Sequence, residues 1–205
     1  IGKIHRTLKW RRFYNVETLL QAFEAVDHNT TGRIFVPNVK FDEFEPTLQL
    51  VDVCASGAFL LLEKELFLEN GDRRLVILAD TSKLNWWKTG VEAGLRYHVL
   101  VLEDAWERIT LENKDSNTKQ QRLEQSLILC VDTTAPPLLP PPLGALRGMV
   151  RLLQTAYPDR IYRVCVGPVS PLVRGLYTRG VKPFLKPKMR QKILLLGEAP
   201  SPEVL

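Results

Sequence analysis

Residues that could support acid–base or metal chemistry are few in this chain, and their spacing does not favour such chemistry. The 205-residue sequence has three histidines, His5, His28 and His98, which lie far apart. His98 falls in a predicted helix and is interpreted as a packing or surface residue. Glu103 and Asp104 are adjacent carboxylates in that helix, where neighbouring side chains point about 100° apart, so they are poorly arranged to act together. We therefore predict no catalytic residues and no enzyme.

Motifs for phosphate binding, nucleophilic catalysis or metal binding are not found in the sequence. Asp80 to Lys83 follows a predicted strand but lacks the glycines of a phosphate-binding loop. No Gly-x-Ser-x-Gly sequence occurs. Cys54, Cys130 and Cys165 lie in apolar runs without the paired spacing of a zinc site or a disulfide framework. We interpret them as buried, reduced thiols, and expect no metal and no cofactor.

One segment is similar to a calcium-binding loop but lacks an important ligand. Asp27, Asn29 and Thr31 occupy alternating positions, and Gly32 would allow a sharp turn. The twelfth position is Asn38, where calcium loops carry a bidentate glutamate. We predict a turn after a helix here.

The order of the predicted elements indicates the fold class. Apolar periodicity predicts a helix over 15–26, and Asn70-Gly71 between two apolar runs predicts a hairpin. Strands are predicted at 73–79, 126–132, 161–166 and 193–196, and helices at 89–108, 143–156 and 172–181. This alternation is typical of an α/β protein with a mostly parallel sheet flanked by helices. We predict a partial, mainly helical region over 1–70, a second domain over 71–205, and an exposed, mobile insertion at 109–124.

Positive charge is concentrated near the end of the chain. Residues 146–205 carry 11 basic and three acidic side chains, whereas residues 1–90 carry 12 of each. Such a basic region favours an anionic partner, whether acidic lipid headgroups, nucleic acid or an acidic protein surface. The aromatic residues in this region are spaced like core and cap residues, which argues against a stacking surface for nucleic acid. No apolar run reaches the roughly 18 residues of a membrane span.

Three motifs near the end of the chain have a distinctive order and spacing. They are Tyr157-Pro158-Asp159-Arg160, then Lys182-Pro183-Phe184-Leu185, then Lys192-Ile193 leading to Gly197. Together they resemble the CRAL-TRIO lipid-binding family, which includes phosphatidylinositol-transfer and tocopherol-transfer proteins. The resemblance implies a cavity beside the sheet that holds one lipid, and a helical lid that opens at a membrane. The segment from Pro171 to Phe184 matches the lid by position.

The resemblance also implies roles for individual residues. The expected cavity and lid residues are Leu172, Val173, Leu176, Tyr177, Val181 and Phe184, and the expected hinge residues are Gly175, Gly180 and Gly197. An ordinary amphipathic helix would explain the leucines equally well.

Four basic residues match headgroup-binding positions of the family. Lys182 matches the lysine that contacts an inositol phosphate in the phosphatidylinositol-transfer branch, although no acid lies near Gly148 to partner it. Arg163, Lys188 and Lys192 match a basic cleft that binds phosphoinositides in the tocopherol-transfer branch. The implied partners are a hydrophobic lipid and an anionic membrane surface, with bound lipid as the one expected ligand.

A second hypothesis belongs to a different class of function. A degenerate fold of this type could serve as a scaffold subunit in a large protein or RNA-containing assembly. Its cavity would then be filled by side chains, and its basic face would dock the partner. The predicted location is cytoplasmic or peripheral to a membrane, with an organelle left open.

Overall fold

A computed structural model describes residues 2–28, 32–38, 46–115, 122–135 and 139–197. The α-helices in these ranges are α1 (Gly2–Tyr14), α2 (Val16–Ala22), α3 (Leu48–Ala55), α4 (Trp86–Thr89), α5 (Val91–Asp115), α6 (Leu143–Arg151), α7 (Pro171–Leu176) and α8 (Pro187–Arg190). The strands are β1 (Phe23–His28), β2 (Gly32–Pro37), β3 (Phe59–Leu62), β4 (Leu66–Phe67), β5 (Arg73–Arg74), β6 (Val76–Asp80), β7 (Leu127–Asp132), β8 (Ile161–Gly167) and β9 (Ile193–Leu195). A π-helical segment, Leu152–Ala156, continues α6.

Seven strands of the described ranges form one sheet in the order β1-β2-β3-β6-β7-β8-β9. Neighbours from β1 to β6 are antiparallel, whereas neighbours from β6 to β9 are parallel. Parallel neighbours require crossover connections, which α5 supplies between β6 and β7 and α6 between β7 and β8. The predicted α/β class is confirmed, and the sheet has an additional antiparallel half.

Helix α5 forms the centre of the core against the sheet. Val99, Leu100 and Ala105 are fully buried on its inner face. The hydroxyl of Tyr97 donates to the carbonyl of Phe59 at 2.6 Å and accepts from the amide of the same residue at 3.3 Å. Burial of a side chain the size of Val99 or Leu100 contributes roughly 1.5–3 kcal/mol of hydrophobic stabilisation. The α5–β3 contact therefore holds one wall of the interior in place.

The first 70 residues contribute strands as well as helices. The helix predicted over 15–26 ends at Ala22, because Phe23 is extended, with φ −129° and ψ 143°. Strand β1 then pairs with β2 along its whole length, from Phe23 opposite Pro37 to His28 opposite Gly32. The segment predicted as a turn after the helix is strand over 32–37, and residues 29–31 are outside the described ranges. Since β1 to β3 share a sheet with β6 to β9, the sheet crosses the predicted boundary at residue 70.

Helix α5 is longer than predicted. The polar run after Arg108 was expected to be an exposed insertion, but α5 continues to Asp115. Ile109 is buried, and the amide side chain of Asn113 accepts from the backbone N–H of Leu123 at 2.7 Å and donates to its carbonyl at 2.9 Å. The prediction of an exposed insertion is wrong at both ends of 109–124, since Ile109 and Leu123 are buried. The described charged residues of the helical part lie on the solvent side of α5, which made the segment look polar throughout. Residues 116–121 lie outside the described ranges.

The predicted hairpin at Asn70-Gly71 is confirmed. Strands β4 and β5 are antiparallel, with Leu66 opposite Arg74 and Phe67 opposite Arg73. Gly71 has φ +83°, a conformation that favours glycine.

Glu103 and Asp104 belong to two separate ion pairs. Glu103 accepts from Arg11 of α1 at 2.6 Å and from the hydroxyl of Tyr157 at 2.7 Å. Asp104 accepts from Arg33 of β2 at 2.7 Å. Burial raises the pKa of Tyr157, and the Glu103 charge raises it further. These carboxylates hold α1 and β2 against α5.

Candidate functional site

The segment from Pro171 to Phe184 is helical throughout. Helix α7 continues as a π-helical segment, Tyr177–Val181, and a short 3-10 turn, Lys182–Phe184. Ser170 caps its start, because its hydroxyl accepts from the N–H of Val173 at 3.3 Å, and proline at the first helical position suits the cap. Gly180 is its one buried residue, and Tyr177 and Val181 are half-buried against the core.

An apolar cavity of about 230 Å³ lies between this segment, helix α6 and the parallel half of the sheet. The segment contributes five of the side chains that were predicted to face a cavity: Leu172, Val173, Leu176, Tyr177 and Val181. The facing wall comes from alternate residues of four neighbouring strands, among them Ala79, Leu129, Val131, Val164, Val166 and Leu195. Residues two apart on a strand lie on the same face, which explains why the apolar runs of these strands produce a continuous apolar wall.

Phe184 does not line this cavity. Its side chain is 42% exposed, and the guanidinium of Arg147 lies 4.5 Å from its ring centroid. The carbonyl of Phe184 accepts from the side chain of Gln154 at 3.1 Å. The 3-10 turn therefore presents Phe184 to the outer surface.

The three predicted hinge glycines differ in their surroundings. A side chain at Gly180 would lie 3.2 Å from a methyl group of Leu146 on α6, so this glycine allows close approach of the two helices. A side chain at Gly175 or Gly197 would meet no atom within 4 Å.

A second cavity, also about 230 Å³, forms a basic groove beside the first. Three lysines line it: Lys186, Lys188 and Lys192. Tyr157, Pro158 and Asp159 also contribute to its wall. The Lys188 ammonium lies 2.6 Å from the Asp159 carboxylate, and Lys192 donates to the carbonyl of Ile161. Burial lowers the pKa of Lys192, and the nearby Lys188 charge lowers it further.

The four basic residues predicted to bind a headgroup do not lie together in the structure. Lys188 and Lys192 line the basic groove, as described. Lys182 is exposed in the 3-10 turn and lines neither cavity. Arg163 precedes Val164, which faces the apolar cavity, so its side chain points to the opposite face of the sheet. Its guanidinium lies 5.4 Å from the ring centroid of Tyr162.

The apolar cavity and the basic groove share walls. Leu153 and Met189 line both of them. A molecule with an apolar body and an anionic end would therefore find complementary surfaces side by side.

Of the two alternatives left open for His98, packing or surface, the structure shows packing. His98 is buried inside α5, with its ring centroid 3.6 Å from that of Phe59 and 5.9 Å from that of Trp86. Its Nδ1 lies 2.6 Å from the carbonyl oxygen of Gly94, and its Nε2 has no hydrogen-bond partner among the described residues. Burial lowers the pKa of His98 to about 4, so the ring is neutral at neutral pH. In the sequence, a histidine four residues after a glycine in an apolar helix is only a weak indication of this buried contact.

Comparison with known proteins identifies the domain. The family model of the CRAL/TRIO domain matches residues 67–204, more than half of the chain. The chain belongs to the CRAL/TRIO family. Among solved structures, its fold is similar to that in the crystal structure of Sfh5, with a TM-score of 0.60 at 15% sequence identity. That match covers 96% of this chain and 59% of the Sfh5 chain, and at this identity it shows the fold alone. No curated protein matches the sequence.

The CRAL/TRIO match begins at β4 and includes the basic groove and all the lining residues of the apolar cavity except Phe59. The resemblance inferred from the three motifs is confirmed, and lipid binding in general follows from the family. No helix within the described ranges is both long enough and apolar enough to cross a bilayer. Within the same ranges, no three His, Cys, Asp or Glu side chains come together in a way that could hold a metal ion.

Proposed function

We propose that this CRAL/TRIO chain is a non-enzymatic lipid carrier that holds one hydrophobic lipid in the apolar cavity. The observation that supports the proposal is the unfilled space of about 230 Å³ beneath the 171–184 segment. A single water molecule needs only about 10–15 Å³ by the same measure. A space this large with apolar walls suits a hydrocarbon ligand.

The same observation favours a carrier over a scaffold subunit. A scaffold with a degenerate fold was expected to fill this space with its own side chains. Here the segment leaves Leu172 largely exposed and Val173, Leu176 and Tyr177 half-buried. These side chains gain burial when a ligand occupies the cavity.

The basic groove is proposed to hold the anionic headgroup of a membrane phosphoinositide. Three lysines and one aspartate line it, so it retains a net positive charge. Anionic lipid attracts each nearby lysine by roughly 1 kcal/mol. Since Lys182 and Arg163 lie elsewhere, the proposed headgroup site consists of Lys186, Lys188 and Lys192.

Native mass spectrometry of the purified chain tests the carrier function. We expect the chain to retain one lipid that is released on denaturation. Val131→Phe places a larger side chain in the cavity and should abolish this mass increment. Leu78→Phe is the matched control, because Leu78 is a half-buried strand residue that does not line the cavity. A chain that never carries lipid, even after exposure to mixed-lipid vesicles, would contradict the proposal and favour the scaffold hypothesis.

A further inference from the structure

In the buried imidazole of His98, one ring nitrogen is hydrogen-bonded and the other has no hydrogen-bond partner among the described residues. Nδ1 faces the Gly94 carbonyl at 2.6 Å, and a carbonyl oxygen can only accept. The proton of the neutral ring therefore resides on Nδ1, and Nε2 is a hydrogen-bond acceptor. No group of the described residues donates to it. A buried acceptor without a donor is unusual, because its desolvation is not compensated.

His98 lines a small cavity that adjoins the apolar cavity. The small cavity measures about 20 Å³, and all its other wall residues are apolar. Four of them, Phe59, Leu129, Met149 and Leu153, also line the larger cavity. The small cavity therefore adjoins the larger one, and these four shared side chains form the wall between them.

The composition of these walls distinguishes a water molecule from a ligand hydroxyl. A buried water is retained by about two to four polar partners, whereas His98 is the one polar side chain in this wall. A hydroxyl at the end of a hydrocarbon needs only one acceptor, and its hydrocarbon suits the apolar walls. The space fits a hydroxyl better than a free water.

We propose that His98 determines ligand specificity, accepting through Nε2 a hydrogen bond from the hydroxyl of a lipid alcohol that enters the cavity with that end innermost. The inference rests on the proposed function, in which the cavity holds a lipid. The acyl ends of a diacyl phospholipid bring no donor to this position. Nε2 has less than 1 Å² of accessible surface, so a wall side chain moves aside on binding. Met149 lines both spaces, and the unbranched methionine side chain adapts readily.

Pairs of ligands that differ in one hydrogen-bond donor test this proposal. A sterol, a prenyl alcohol and an octadecyl alcohol are each compared with their methyl ether, which keeps the oxygen but cannot donate. Binding of labelled ligand from neutral phosphatidylcholine vesicles is measured for the whole chain. We expect at least one alcohol to bind about tenfold more tightly than its ether, which is the effect of one hydrogen bond to an otherwise unpaired acceptor.

Two substitutions assign that preference to His98. His98→Phe should weaken alcohol binding to the level of the ether and leave ether binding unchanged. His98→Gln should retain part of the preference, because its amide oxygen can accept, and it serves as the folded variant if the phenylalanine variant fails to melt cooperatively.

The outcomes also separate this inference from the proposed function. Equal binding of alcohol and ether by the parent chain overturns the His98 assignment, as does a preference that survives in His98→Phe. Binding of phospholipid but of none of the three alcohols overturns the assignment and leaves the carrier function intact. Failure to bind any lipid overturns both.

Discussion

The basic residues near the end of the chain lie on different surfaces of the protein. Lys188 and Lys192 face one groove, whereas Arg163 points to the other side of the sheet and Lys182 lies in the 3-10 turn. The family resemblance placed the first pair together, and both line the groove although α8 ends at Arg190, before Lys192. The sequence could not place Arg163, because a register shift between Leu127 and Ile128 accompanies the pairing of β7 with β8.

This separation makes a prediction about membranes. The double variant Lys188→Ala, Lys192→Ala should bind phosphoinositide-containing vesicles at least tenfold more weakly at low salt, at roughly 1 kcal/mol per charge. The variant Arg163→Ala, Lys182→Ala removes the same charge outside the groove and should change binding much less. Vesicle co-sedimentation measures both, and equal losses in the two variants would show that net charge, and not the groove, determines binding.

The tertiary partners of His98 and Glu103 could not be predicted from the sequence. The positions of both residues on α5 are evident from periodicity, but their partners come from α1, β3 and the residues after α6. Such contacts join segments up to 92 residues apart, as between Arg11 and Glu103. Spacing along one helix cannot predict them.

Helices and strands were predictable where the apolar pattern agreed with the positions of turn-forming residues such as proline and glycine. Strands β7, β8 and β9 fall where β-branched and leucine runs end at proline or glycine, and the β4–β5 hairpin surrounds Asn70-Gly71. Strand β1 was missed, because the apolar spacing of Val16, Leu19, Phe23 and Val26 also fits one helical face. Strand β2 was missed, because its residues were interpreted as part of a turn. Pairing between β1 and β2 outweighs that periodicity in the folded chain.

The 171–184 segment yields a prediction about lipid exchange. A side chain at Gly180 would lie 3.2 Å from Leu146 of α6, so Gly180→Val should push the segment away from α6 and speed lipid transfer between vesicles. Gly175→Ala is the matched control, since its side chain meets open space, and it should stabilise the helix by up to about 1 kcal/mol. Stopped-flow transfer of a fluorescent lipid measures the rates. A Gly180 variant that transfers lipid no faster than Gly175→Ala would show that this contact does not control entry to the cavity.

At the scale of the whole molecule, the described cavities lie side by side and share wall residues. The basic groove shares Leu153 and Met189 with the apolar cavity, which in turn shares Phe59 and Leu129 with the small cavity at His98. The fold class and the positive charge of this region follow from the sequence. The arrangement of the cavities does not, because each wall combines residues from strands and helices far apart in the chain.

The buried imidazole should make the free energy of unfolding depend on pH. The pKa of His98 is lowered from 6.5 to about 4 in the folded chain, so between these values the unfolded chain binds more protons. Stability is therefore complete above about pH 6.5 and falls as pH decreases toward about 4, by up to roughly 3 kcal/mol. Urea denaturation of the parent and His98→Phe measures the effect. The difference in unfolding free energy between them should change over this range, and a constant difference would contradict the buried, neutral state of His98.

The change from antiparallel to parallel pairing at β6 has a consequence for how the chain folds. Strands β1 to β3 and β6 are joined without a crossover, and all lie within the first 80 residues. Each parallel neighbour, in contrast, needs a helical crossover before it can pair. Local pairing forms faster than pairing between distant segments, and chains are synthesised from the N-terminus. The antiparallel half can therefore assemble on the ribosome while the cavity walls from β7 to β9 are still being translated, and it then serves as the template on which those walls are added.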